Sequence, residues 1–267
     1  AVKKKGKIPE GVKQVTRLIM NMIPANTYQR PLLDSLGTLH SASSWTQICL
    51  DQGETLLWSS DDIRGAFYIF RLPKVWRSFM AFSKPIPGHL INSPEEHVYL
   101  ASAVIPMGWV NAVALFQHLM RRITHHYSGI SPMVEWRRDA ALPASKAWVQ
   151  NYLDDFDAPE KVTESQVPDK VNKPSEYLLT RRAGNSSLGV ITSEEKAQTG
   201  EIVVERMGAM VDGDVGRVGV SSTKLLLIML FGGRRHWELQ GQQRGQDQGS
   251  RWHQDTSHQL KFSLANM

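Results

Sequence analysis

Three aspartates stand at positions where the chain is expected to turn. Asp62 comes at the start of an apolar stretch, and the pair Asp154 and Asp155 is flanked by Tyr152 and Phe156. Carboxylates that converge from separate segments can hold two divalent ions about 3.5–4 Å apart, an arrangement that catalyses phosphoryl transfer. Oxygen ligands of this kind suit Mg²⁺, and Mn²⁺ is an alternative ion. Taken singly, each aspartate is more often structural, because Asp-Asp is a common turn pair.

Several strands are expected to position these aspartates. Apolar and aromatic residues predict a strand over 55–58 and its continuation over 63–70, on either side of a polar run. Another strand is predicted over 147–153, and it leads directly into the turn that carries the paired aspartates. An apolar strand over 17–24 is predicted to end at its proline, which cannot donate a hydrogen bond to a neighbouring strand.

The clearest helix is predicted over 109–123. Apolar side chains recur on one of its faces at helical spacing, and two arginines stand in its last turn. The apolar face consists of Val113, Phe116, Met120 and Ile123. The spacing by itself predicts a core helix. The pair His125 and His126 that follows has no cysteine or histidine partners at metal-ligand spacing, so we expect both at the surface.

Composition narrows the class of protein. Lys and Arg exceed Asp and Glu by 31 − 26 = 5, and this mildly basic balance suits a polyanionic partner. A single cysteine, Cys49, excludes an internal disulfide and a cysteine-based zinc site, so we expect an intracellular setting, cytoplasmic or nuclear. The longest apolar run, 225–231, is too short to cross a bilayer, and residues 1–7 lack the apolar core of a signal peptide.

Three motifs, in this order, resemble those of reverse transcriptases. Residues 60–68, Ser-Asp-Asp-Ile-Arg-Gly-Ala-Phe-Tyr, contain an aspartate followed after four residues by an aromatic, which selects Asp62 rather than Asp61. Residues 105–117 contain Pro-Met-Gly and end in Phe-Gln, and Tyr-Leu-Asp-Asp occupies 152–155. Weaker similarities lie at 17–21, 79–82, 188–196 and 206–208, so the resemblance covers roughly four fifths of the chain.

The resemblance implies an α+β fold, the right-hand fingers and palm of a polymerase with an antiparallel palm sheet backed by helices. It places fingers at 1–45 and 72–104 and palm at 46–71 and 105–224. The remainder, 225–267, is rich in Gln, Gly, Arg and His and is expected to be a disordered or degenerate tail.

The resemblance also implies the catalytic residues and their partners. Asp62 and Asp154 would be the principal ligands of two Mg²⁺ ions, and Asp155 would have a lesser role as a ligand. The expected activity is that of an RNA-directed DNA polymerase from a retroelement, which adds deoxynucleoside triphosphates to a primer paired with an RNA or DNA template. No membrane partner is expected, and the oligomeric state stays open.

Six further residues are implied to contact the substrate. Phe67 would lie under the sugar and exclude a 2′-hydroxyl, while Gly108 would allow a close approach of the backbone to nucleotide and template. The guanidinium of Arg17 would pair with the triphosphate, and Lys196 would donate a proton to the pyrophosphate. The other two are Met107 and Tyr152.

Two departures and two alternatives accompany the resemblance. Met107 stands where retroviral members have a glutamine that contacts the nucleotide, and no thumb or ribonuclease H segment is recognisable after Lys224. A decayed remnant that only binds nucleic acid would share every motif with an active enzyme. RNA-directed RNA synthesis is disfavoured by Phe67 and Tyr152, because RNA-copying RNA polymerases more often have glycine before the two aspartates.

Overall fold

The computed structural model describes residues 2–3, 16–17, 19–33, 35–138 and 140–220, and of the first two pairs the backbone alone. The strands in this part of the chain are β1 Val2–Lys3, β2 Thr16–Arg17, β3 Glu54–Asp62, β4 Ile86–Pro87, β5 His97–Val98, β6 Gln150–Tyr152, β7 Asp155–Thr163, β8 Gln198–Glu201, β9 Val203–Arg206, β10 Ala209–Asp212 and β11 Arg217–Val220. The α-helices are α1 Ile23–Asn26, α2 Lys74–Arg77, α3 Ala112–Arg122, α4 Val167–Lys170 and α5 Glu176–Ser187. The tail expected at 225–267 lies outside the described residues.

The central element is a four-stranded antiparallel sheet in the order β6-β7-β3-β8. Strands β3 and β7 pair along nine residues each, from Glu54 opposite Thr163 to Asp62 opposite Asp155. Every residue of β3 after Glu54 is buried, because the strand lies between two neighbours and both faces of the sheet are covered. The expected antiparallel sheet is therefore present, while the division into fingers and palm stays a prediction.

Helices α3 and α5 pack near this sheet. The predicted helix is confirmed over Ala112–Arg122, and Phe116, Met120 and Ile123 of its expected apolar face are buried. Ser175 directly precedes helix α5, and its side chain accepts a hydrogen bond from the backbone N–H of Leu178 and so caps the helix.

A charged side chain, Arg181 of α5, lies buried between α3 and the sheet. Its guanidinium donates to the carbonyl oxygen of Met120 at 3.2 Å and lies 5.4 Å from the centre of the Phe156 ring. Burial lowers the pKa of Arg181 to about 9.

Two of the expected strands are wrong. The continuation over 63–70 is not a strand, because β3 ends at Asp62 and the chain turns at Gly65, with φ 62°, into a 3₁₀ turn over Ala66–Tyr68. The strand expected over 17–24 is limited to Thr16–Arg17, and Ile23–Asn26 is helical instead. Proline is compatible with a first helical turn, where its missing N–H would be unpaired in any case.

A three-stranded sheet, in the order β11-β10-β9, packs against β3 through Trp58, Val204 and other apolar residues. Strands β9 and β10 are joined by a two-residue turn with φ 47° at Met207 and φ 83° at Gly208, the turn type that suits the twist of a hairpin. The segment 206–208, singled out in the sequence, is therefore a hairpin turn.

Within the described residues, no helix has the length and apolar character that crossing a membrane requires.

Candidate active site

The pairing of β3 with β7 brings the three predicted aspartates to one end of the sheet. Asp62 is the last residue of β3, and its partner across the sheet is Asp155, the first residue of β7. Asp154 precedes it, and its carbonyl oxygen accepts a hydrogen bond of 3.0 Å from the backbone N–H of Ile63. Asp62 and Asp155, which are 155 − 62 = 93 residues apart in the chain, are thus held in adjacent strands by backbone hydrogen bonds.

The turn between β6 and β7 is tight, and a side chain of α3 binds it through hydrogen bonds. Tyr152 and Asp155 are partners at the end of the β6–β7 hairpin, so the turn has two residues, and Leu153 adopts φ 54°. The buried Gln117 of α3 contacts both sides of the turn. Its Oε1 accepts from the N–H of Leu153 at 3.0 Å, and its Nε2 donates to the carbonyl oxygen of Asn151 at 2.9 Å.

Gln117 was not among the predicted site residues, although the sequence contained a signal for it. It follows Phe116 on the apolar face of a helix, and a buried amide at such a position must satisfy its donors and acceptor. The side chain is fully buried and also donates to Thr38 Oγ1 at 3.2 Å. Its partners could not be identified from the sequence, because the nearer hairpin residue is 34 positions away.

The Asp62 carboxylate is buried, and its two oxygens differ in their contacts. One oxygen, Oδ2, forms an ion pair with Lys196 Nζ, while Oδ1 is buried and has no hydrogen-bond partner in the described part of the chain. A buried carboxylate oxygen without a partner is costly, and a bound cation would satisfy it. The unpartnered Oδ1 of Asp62 is therefore suited to act as a ligand of Mg²⁺. The ion pair places Lys196 next to Asp62, and its expected role as a proton donor to pyrophosphate stays a prediction.

The neighbouring Asp61 has a different environment. Arg182 of α5 binds it with two hydrogen bonds, 2.7 Å from Nε to Oδ2 and 2.9 Å from Nη2 to Oδ1. The hydrogen bond to Asp61 raises the pKa of Arg182. Because Asp61 is engaged in this bidentate pair, Asp62 is the aspartate of β3 whose Oδ1 has no hydrogen-bond partner among the described residues. Its choice over Asp61 as a metal ligand stays a prediction.

On the other strand, Asp155 is bound by a residue of the three-stranded sheet. Arg206 Nη2 lies 3.1 Å from Asp155 Oδ1, and Arg206 Nε donates to Asp157 Oδ1 at 2.8 Å. Trp58 Nε1 donates to the same Asp157 oxygen at 2.9 Å. Burial acts to lower the pKa of Arg206, but the two carboxylates outweigh it and raise the pKa, so the guanidinium is held charged.

In this arrangement, no group of three or more Asp, Glu, His or Cys side chains of the described residues is positioned to hold a metal ion. Asp62 and Asp155 are instead paired with Lys196 and Arg206. The two-ion site therefore stays a prediction. The donor chemistry suits it, since carboxylate oxygens from facing strands are the ligands that Mg²⁺ prefers.

The residues expected to contact the nucleotide have other contacts in the structure. Phe67 is half-buried in the 3₁₀ turn Ala66–Tyr68 rather than on the strand of Asp62, and its ring stacks on that of Phe116 at 4.7 Å between centroids. Gly108 has φ 102°, and a Cβ there would lie 2.5 Å from the carbonyl oxygen of Met20. Glycine is therefore required by packing within the chain.

The other three predicted substrate residues are placed as follows. Met107 is half-buried and accepts through its carbonyl oxygen a hydrogen bond of 3.1 Å from the N–H of Met20. Tyr152 is half-buried beside the two-residue turn. Arg17 lies in β2, and its side chain is outside the described part of the structure.

The buried Glu135 accepts hydrogen bonds from two side chains and is in ion-pair contact with a third. Arg121 binds it with Nε and Nη2, the Nη2 contact being 2.8 Å, and Asn151 Nδ2 donates at 3.0 Å. His125 Nε2 lies 3.1 Å from Oε2. Burial acts to raise the pKa of Glu135, but the contacts with His125 and Arg121 outweigh it and lower the pKa to about 2. The expectation of a surface position is wrong for His125, although His126 is exposed.

Comparison with known proteins gives matches at the level of structure. No protein-family model matches the sequence, and no curated protein is similar to it. The foamy viral protease–reverse transcriptase, solved in complex with double-stranded DNA, aligns with a TM-score of 0.50 and 16% identity over 83% of this chain. A structure of the same viral enzyme with an RNA/DNA hybrid aligns with a TM-score of 0.46 and 15% identity over 77% of the chain. The chain spans 32% of the length of the first of these proteins and 22% of the second. The first alignment shows that the fold is similar to that of a reverse transcriptase.

Proposed function

We propose that this chain is an RNA-directed DNA polymerase, a reverse transcriptase that adds deoxynucleotides to the 3′ end of a primer. The observation that carries the proposal is the pairing of Asp62 with Asp155 across adjacent strands, next to the Tyr-Leu-Asp-Asp turn. The fold similarity supports it, since the neighbour is itself a reverse transcriptase solved with DNA. The basic net charge of +5 suits a template-primer duplex.

The roles of the carboxylates follow from their surroundings. Asp62, through its orphaned Oδ1, and Asp154 would hold two Mg²⁺ ions, and Asp155 would stay close by in a lesser role. When bound, such ions lower the pKa of the primer hydroxyl and neutralise the charge on the phosphates. The protein contributes rigid positioning, because Gln117 fixes both sides of the turn that carries Asp154.

The remaining residues would select and orient the nucleotide. Phe67, half-buried against Phe116, would exclude the 2′-hydroxyl of a ribonucleotide from the sugar position. Arg17 would bind the triphosphate through its guanidinium. Lys196 would hold a proton at Nζ for the leaving pyrophosphate, since its ion pair with Asp62 already places it at this end of the sheet.

The experiment is primer extension with the full chain. A DNA primer annealed to an RNA template is incubated with deoxynucleoside triphosphates and Mg²⁺, and products are compared with a reaction that contains a chelator. We expect Mg²⁺-dependent addition of at least one nucleotide, with deoxynucleotides preferred over ribonucleotides. Binding of the template-primer without extension in either Mg²⁺ or Mn²⁺ would identify the chain as a non-catalytic remnant and refute the proposal.

A further inference from the structure

Arg206 joins the three-stranded sheet to the aspartate pair of the candidate site. It is the last residue of β9, directly before the hairpin turn at Met207 and Gly208. Its side chain is largely buried, with 13% exposed, and it reaches across to strand β7. There it contacts Asp155 and Asp157, which lie two residues apart and therefore on the same face of the strand.

The contacts of Arg206 with Asp157 and Asp155 differ in burial and in hydrogen bonding. Asp157 is buried, and its Oδ1 accepts hydrogen bonds from both Arg206 Nε at 2.8 Å and Trp58 Nε1 at 2.9 Å. Breaking a buried pair of this kind by removing one partner is strongly destabilising. Asp155 retains 32% exposure and is reached by the other arm of the guanidinium, at 3.1 Å. Asp157 therefore anchors the guanidinium by a hydrogen bond, while Nη2 forms an ion pair with Asp155 that lacks the geometry of a hydrogen bond.

We propose that Arg206 is a positioning residue at the metal site. It holds the Asp155 carboxylate in place and offsets the negative charge of that carboxylate. The proposal rests on the proposed function, because Asp155 matters to catalysis only if the carboxylates bind metal ions. The fixed positive charge next to Asp155 disfavours its use as a full metal ligand and leaves that role to Asp62 and Asp154. The planar fork of arginine is needed, since it contacts two carboxylates at once.

Lysine provides a matched test of the fork geometry. A lysine ammonium is a point charge on a flexible chain, and we expect it to stay with the buried Asp157 and release Asp155. In Arg206→Lys we expect kcat for single-nucleotide addition to fall by on the order of tenfold, the size expected when a catalytic group loses its position. The KM for the nucleotide and the affinity for Mn²⁺ should stay close to wild type. Arg217→Lys, at an exposed position of β11, is the control and should leave kcat unchanged.

A doubly neutral variant tests the role of the charge. Arg206→Gln combined with Asp157→Asn removes the buried pair without leaving one charge unpaired, so it preserves folding better than Arg206→Gln alone. The variant removes one positive and one negative charge, so the net charge near the site is unchanged, but the Asp155 carboxylate loses its ion pair. Because this carboxylate then becomes available to the ion, we expect Mn²⁺ to bind about tenfold more tightly, on the order of the attraction between one carboxylate and a divalent ion in a water-like dielectric. The gain should disappear when Asp155→Asn is added.

The measurements are a Mn²⁺ titration of the metal-free protein followed by electron paramagnetic resonance, and single-nucleotide kinetics. Unchanged or weaker Mn²⁺ binding in the folded double variant would overturn the proposed effect of the charge. A wild-type kcat in Arg206→Lys would overturn the positioning role even if the double variant does not fold. A wild-type chain that binds Mn²⁺ but extends no primer would refute the proposed function, while the titration would still decide the role of the Arg206 charge. Absence of Mn²⁺ binding in the wild type would refute the metal site and this inference together.

Discussion

Replacement of Glu135 by glutamine tests whether the buried network below the turn stabilises the fold through its charge. The pKa of Glu135 is lowered from 4.5 to about 2, chiefly by its contacts with His125 and Arg121, which outweigh the effect of burial. A folded-state pKa below the unfolded value means that the carboxylate stabilises the protein above pH 4.5, and that this contribution is lost as the pH falls towards 2. The shift corresponds to roughly 3 kcal/mol at neutral pH, at about 1.4 kcal/mol for each pKa unit.

The assay is urea unfolding of wild type and Glu135→Gln, followed by tryptophan fluorescence at several pH values. We expect the variant to be less stable by about 3 kcal/mol at pH 7 and by about 1 kcal/mol at pH 3, because glutamine resembles the protonated side chain. Glu95→Gln, at an exposed position, is the control and should change stability little at any pH. A difference at pH 7 close to zero, or one that does not shrink on acidification, would refute the assignment of this stability to the Glu135 charge.

Three further predictions concern the turn, the sugar and the tail. Gln117→Leu removes the hydrogen bonds to Leu153 and Asn151, so chemical denaturation should show a loss of about 2 kcal/mol, whereas an unchanged midpoint would mean that the turn holds itself. Phe67→Ala should raise the use of ribonucleotides relative to deoxynucleotides by on the order of 10- to 100-fold, and a ratio equal to wild type in a destabilised protein would make Phe67 a core residue only. Deletion of residues 232–267 should leave the product length on a long template unchanged and short, and long products that depend on these residues would show that they act as a clamp.

Features that depend on local patterns were predictable from the sequence. Helix α3 was expected because Phe116, Met120 and Ile123 recur at helical spacing, and all three are buried. A turn at Asp154 and Asp155 was expected from the residue types around them. Asp154 lies in the two-residue turn between β6 and β7, whereas Asp155 is the first residue of β7. Predictions of this kind depend only on residues that are close together in the chain.

Features that depend on contacts between distant segments were not predictable. The length of β3 was misjudged because its polar residues 59–62 were expected to interrupt an apolar strand. They are buried and individually paired instead, for example Asp61 with Arg182, 121 residues away. The roles of Glu135 and Arg206 are of the same kind, since each acts through partners that only the folded chain brings close. Helical and strand periodicity contain no information on such partners.

The same limit applies to Gly108 and Phe67. The sequence indicated that glycine is needed at 108, and the structure gives a reason inside the protein, the close approach of the Met20 carbonyl oxygen. Phe67 was placed five residues along one strand from Asp62, but Gly65 turns the chain between them. A single positive φ changed the geometry that the strand period would have imposed.

The most direct test of the account is the rate of single-nucleotide primer extension by Asp154→Asn. Asp154 lies in the two-residue turn opposite the end of β3, and asparagine retains its shape while removing the charge that would bind Mg²⁺. Asp169→Asn, an exposed position in α4, is the matched control. With saturating Mg²⁺ we predict a loss of at least about 10³-fold in rate, roughly 4 kcal/mol, for Asp154→Asn and no loss for the control. A rate equal to that of the wild type in Asp154→Asn would contradict the account, because the carboxylate at the centre of the proposed site would then have no part in the chemistry.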